Sequence, residues 1–131
     1  MASILRVNTL TDASSGNSTA MSVINQGTAK AWLHVAADGA SISDSFNISS
    51  HDDDGAGDGG VNISNSMSNN DYAITSMASD AGASTVITTL ELTQNTEATG
   101  SFDYETAYAN SSTDRTNHDA NRMMTIHGDL A

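Results

Sequence analysis

Between Thr85 and Leu92, the residues Val86, Thr88, Leu90 and Leu92 alternate with Ile87, Thr89 and Glu91. A period of two places one set on each face of a β-strand. The same rhythm recurs along the chain, and no long stretch carries an apolar stripe at helical spacing. Ala29, Ala31, Leu33 and Val35 alternate with Lys30, Trp32 and His34, so Trp32 faces away from the aliphatics. Ile42, Phe46 and Ile48 mark extended chain, as do Val61 with Ile63, Tyr72 to Met77, and Arg122 to His127. Phe102, Tyr104, Thr106 and Tyr108 share one face of a further strand. Asp38-Gly39 predicts a hairpin with a type I′ turn, because that turn needs positive φ and Asp-Gly supplies it at low steric cost. Only the patch Met21, Val23 and Ile24 suits a short helix. The predicted fold is all-β: an antiparallel, jelly-roll-like sandwich of about eight short strands behind an extended N-terminal arm. Trp32, Phe46 and Phe102 are its expected core anchors.

The 131 residues suit one domain, read as an arm over 1–26 and a sandwich module over 27–131. Aromatics make up only 5% of the chain, so a small core should leave apolar strand faces for other copies to cover, and a homo-oligomer is expected. The net charge of −12 rests on only four basic residues: Arg6, Lys30, Arg115 and Arg122. Phosphate backbones are held by Lys and Arg, so nucleic-acid binding is not expected. The absence of cysteine suits assembly in a reducing cytoplasm. Met1 to Leu10 lacks the basic segment and apolar core of a signal peptide, and no run approaches the roughly 18 apolar residues of a membrane span. Membrane insertion is therefore not expected. Ile4, Leu5, Val7 and Leu10 are too few to fold alone, but suit adding a strand to another protein's sheet edge.

The acidic run Asp52, Asp53, Asp54 and Asp58, interrupted by glycines, invites comparison with calcium loops. It fails the EF-hand pattern, because Ala56 and Ile63 stand where ligands belong. Gly55, Gly57 and Gly60 match G-x-G-x-x-G, but no preceding hydrophobic strand and following helix frame them, and Asp54 and Asp58 would repel a pyrophosphate. His34, His51, His118 and His127 lack metal-ligand spacing, and no nucleophile elbow occurs. No cofactor and no catalytic activity is expected. His51 to Gly60 and Asn110 to Asn121 read as polar surface loops, with His51, Asp52, Asp53, Asp54, Asp58, Asn110 and Asn117 as candidate contact residues. Phe102, Tyr104 and Tyr108 could stack on a sugar, although core packing explains them more simply.

Several segments in order resemble a module of tail-fibre-type proteins from marine tailed bacteriophages. They are Gly27-Thr28-Ala29-Lys30-Ala31-Trp32, Asp44-Ser45-Phe46-Asn47-Ile48-Ser49-Ser50, and Gly57-Asp58 leading into Val61-Asn62-Ile63. Asn70-Asp71-Tyr72-Ala73-Ile74 and Ile126-His127-Gly128-Asp129-Leu130-Ala131 complete the set. The resemblance implies a trimeric β-sandwich on the virion surface, in contact with other virion proteins and with a host receptor or glycan. The resemblance favours a tail-fibre-like adhesin, whereas the short length of 131 residues favours a capsid decoration protein (cement or head fibre) held by its arm.

Overall fold

The computed structural model describes residues 4, 6–79, 87–93, 95–109 and 115–131. Near the N-terminus, β1 (Thr9–Thr11) and β2 (Ser18–Ala20) form a separate hairpin that runs into α1 (Met21–Gly27). The body contains β3 (Ala31–Val35), β4 (Ile42–Phe46), β5 (Ile48–Gly55), β6 (Asp58–Ile63) and β7 (Ala73–Ala78). It continues with β8 (Ile87–Leu92), β9 (Ser101–Ala109), β10 (Arg115–Asn117) and β11 (Arg122–His127). All pairings between these strands are antiparallel, in one sheet ordered β4-β3-β11-β7 and a second built around β9. In the second, β8 lies along one edge of β9; β6 and then β10 share the other, and β5 extends the sheet beyond β6.

The inner faces of the two sheets make the core. Ala31, Leu33, Val35, Met124 and Ile126 from the four-stranded sheet meet Val61, Ile63, Phe102 and Tyr104 from the five-stranded one, with Met67 between them. Phe102 is fully buried, which contributes about 1.5–3 kcal/mol of transfer free energy. The chain passes from one sheet to the other at Asn47, the single residue between β4 and β5. Its φ of 58° is one that Asn tolerates better than most residues. Its amide donates to the carbonyls of Lys30 and Asn65 and accepts from the Asn65 backbone N–H, which fixes the corner.

All-β architecture, the short helix and the strand from Arg122 to His127 stand as the sequence predicts. The strands number eleven among the described residues, against the roughly eight expected. Part of the difference lies in the arm, where β1 and β2 pair across a turn that holds Gly16 and Asn17. Asp12 accepts from Gly16 N–H, Asn17 Nδ2 and Ser14 Oγ, and this closes the hairpin turn. A hairpin follows Val35 as expected, but only Gly39 has positive φ, at 78°, so the turn is not type I′. Gly39 N–H instead bonds the Ala36 carbonyl while Asp38 accepts from Ala40 and Ser41 N–H.

Phe46 is not a core residue: it is 55% exposed on the outer face. A register shift between His34 and Val35 breaks the parity of β4, so Ile42 pairs with buried Val35 whereas Phe46 pairs with outward-facing Trp32. Trp32 does face away from the aliphatics, but it sits half-buried on that outer face and not between the sheets. His51 to Gly60 is also corrected, from a loop to a hairpin of β5 and β6 that turns at Ala56-Gly57, with a register shift between Asp53 and Gly55. Glycine serves here for close approach: a Cβ on Gly59 would lie 3.0 Å from Tyr104 Oη and 2.9 Å from the Asp52 carbonyl.

Candidate functional site

Beneath the β3–β4 turn, one charge is buried. Arg122 opens β11 with the inward parity of Met124 and Ile126, and it is 0% exposed. Its Nε donates to Thr106 Oγ1 at 2.7 Å, Nη1 to the Gly39 carbonyl at 3.4 Å, and Nη2 to Asp119 Oδ1 at 2.9 Å. The guanidinium also lies 5.4 Å from the Tyr104 ring centroid. Asp119 Oδ1 accepts as well from Gly57 N–H at 2.8 Å. Thr106 sits where β9 leaves β6 and meets β10: its N–H donates to the Gly57 carbonyl and its carbonyl accepts from His118 N–H. One guanidinium thus ties together both sheets, the β3–β4 turn and the β5–β6 turn.

Tyr104 Oη and His51 Nε2 lie 2.6 Å apart at the edge of this cluster. Burial pushes the Tyr104 hydroxyl up to about 12, and burial holds His51 below its ordinary range, with the Arg122 charge acting in the same direction. Both groups are therefore neutral at physiological pH. A buried charge pair held by several hydrogen bonds stiffens the junction between the sheets.

The two outer faces of the sandwich differ in kind. On the five-stranded sheet, the register aligns Asp52 and Asp103 across Gly60, and Asp58, Glu105 and Glu91 in an adjacent row. Arg115 pairs with Glu91, and with Glu105 at 2.6 Å. This face is acidic. On the four-stranded sheet, one cross-strand row reads Phe46, Trp32, Thr125 and Thr75, and the next Asp44, His34, Met123 and Met77. Asp44 is the only acidic residue in those rows. Phe46, Met77 and Met123 are 55%, 67% and 37% exposed, and a groove of about 370 Å³ runs between Trp32, His34, Met77 and Met123.

The sequence-predicted contact residues do not converge on one site. Asp52, Asp53 and Asp54 are exposed on β5 and Asp58 is half-buried on β6, whereas His51, also half-buried, turns inward to Tyr104. Asn117 is half-buried on β10, opposite Ala107, so the expected loop from Asn110 to Asn121 contains a strand. Asn110 and Leu5 lie outside the described residues. Ile4, Val7 and Leu10 are 75%, 38% and 47% exposed in the arm, and none of the arm's described residues is buried. Phe102 and Tyr104 are fully buried, which excludes them as a sugar platform; Tyr108 packs edge-on against His118.

Sequence reasoning missed Arg122 and Asp119 as a pair, and Met77 and Met123 as a surface. The signal for Arg122 was present: a lone cation two residues before Met124 and four before Ile126 must share their inward face. Met77 and Met123 become neighbours only through the β7–β11 register, which strand pattern alone does not give. Comparison with known protein families, curated proteins and solved structures finds no match to this chain.

Proposed function

We propose that the chain is a structural protein of a tailed-bacteriophage virion, a homotrimeric tail-fibre-like surface module for adhesion to the host. The resemblance of its ordered segments to that module suggests the class. The observation that carries the reading is the division of labour in the fold. Among the described residues every buried hydrophobic one lies in the sandwich, while the arm exposes Ile4, Val7, Leu10 and Val23. A unit that buries nothing of its own gains stability by docking elsewhere, and strand addition to a virion protein is the economical way. The acidic outer face keeps a densely displayed module soluble. Weak polar contacts, multiplied by copy number, supply adhesion.

Capsid decoration is the second reading. One structural feature favours it: the expected receptor loop from His51 to Gly60 is a hairpin paired into the sheet, which leaves less loop surface for recognition. Deletion of residues 1–24 should leave a folded body that no longer enters particles. Full-length protein should then either compete with phage for host cells or rebind stripped capsids and raise their thermal stability. Normal incorporation of the truncated form would overturn the anchoring role, and failure in both binding assays would overturn both readings.

A further inference from the structure

We infer that copies of this chain associate through the outer face of the four-stranded sheet, around Trp32, Phe46, Met77 and Met123. The inference rests on the homo-oligomeric part of the reading above and departs from its trimer, because a face that meets the same face of a second copy closes a two-fold pair. The face spans four strands and about five residues of each, roughly 19 by 17 Å from standard strand spacings. That footprint, which includes Asp44, His34, Thr75 and Thr125, is at the lower end of the roughly 300–600 Å² of the largest patch on a typical monomer, a patch that is often functional. Its composition is that of an interface centre: Trp, Phe and Met are enriched, and charge is depleted to Asp44 alone.

Charge selects the occupant. The chain carries 16 acidic residues against four basic ones, and Asp52, Asp58, Glu91, Asp103 and Glu105 crowd the opposite face. A strongly basic partner would be drawn to that acidic face, not to this neutral one. A second copy has the reverse constraint, since it must avoid the acidic face and meet its neighbour where neither bears charge. Two sandwiches joined by their neutral faces stack four sheets, which sets the acidic faces about 30 Å apart at roughly 10 Å per layer. That separation is several times the Debye length of about 8 Å at physiological ionic strength, so repulsion is screened. Contacts through the five-stranded sheets would press like charges together. The patch is smaller than the ~800 Å² that each partner gives to a standard interface, so association should depend on concentration in the micromolar range.

Sedimentation equilibrium of the full chain from about 1 to 100 µM, with Met77→Glu, Met123→Glu and the control Thr116→Glu, tests this. Met77 and Met123 are a solvent-exposed cross-strand pair, so folding should survive either change; Thr116 is exposed on β10. Wild type and T116E should self-associate, and M77E and M123E should dissociate with constants at least about tenfold weaker. Trp32 emission of the wild type should shift to the red on dilution, a readout that needs no variant. An oligomer that M77E and M123E, folded by circular dichroism, leave intact would overturn this face while sparing the homo-oligomeric reading. If the variants do not fold, constant Trp32 emission across a dilution that dissociates the wild type overturns it instead. A wild type that stays monomeric to 100 µM would overturn both.

Discussion

Removing Asp119 should damage this protein more than removing any other partly exposed acidic side chain. Asp119→Ala leaves Arg122 at 0% exposure without its counter-charge and strips the acceptor from Gly57 N–H, which is buried. Breaking a buried pair costs about 3–5 kcal/mol. Asp119 is itself 35% exposed, so solvent screens part of the attraction and the lower end, about 3 kcal/mol, is appropriate. Asp119→Asn, which keeps an acceptor without the charge, should cost about half as much. Arg122→Met removes the charge but strands Thr106 Oγ1 and the Gly39 carbonyl, for about 2–3 kcal/mol. The double variant should then be less destabilised than the sum of its parts by about 1.5 kcal/mol or more, because no unpaired charge remains. Urea melts of the four proteins at pH 7 measure the cycle, and the thermal midpoint should fall by roughly 4 °C for each kcal/mol. A loss under 1 kcal/mol in D119A, or strict additivity in the double variant, would refute the reasoning.

Acid should weaken the fold through His51. Its folded-state pKa is depressed by burial, so below its ordinary value near 6.5 the unfolded chain takes up a proton that the folded chain refuses. Stability from this group is therefore full above about pH 6.5 and lost as pH falls toward the folded pKa, and the wild type should lose more than His51→Gln between pH 7 and 5; parallel melting curves would count against it. Gly57→Ala should cost more than about 2 kcal/mol, since φ is 74° and a Cβ would strike the Thr106 carbonyl and, at 2.5 Å, His118 N; an unchanged melt would contradict this. Trp32→Ala should cost the isolated subunit only about 1–2 kcal/mol, below the 3–5 of a core tryptophan, as measured by urea melts at submicromolar concentration. A core-sized loss there would place Trp32 between the sheets after all.

Alternation by itself determined the all-β class and most strand positions, because a period of two is a property of each strand alone and survives in any sheet. The inward faces of β9 and β11 were readable on that ground, Phe102 and Tyr104 on one, Met124 and Ile126 on the other. The helix at Met21 and the turn at Gly39 were equally local. Pairing was not, since it joins residues far apart in sequence. The bulge that sends Phe46 outward, the register that sets Met77 beside Met123, and the meeting of Asp119, Gly57 and Arg122 all come from contacts between strands. Only the tertiary structure could decide that Asp52, Asp58, Glu91, Asp103 and Glu105 share one face and that Trp32, Phe46, Met77 and Met123 share the other, because the face a side chain takes depends on which sheet claims its strand.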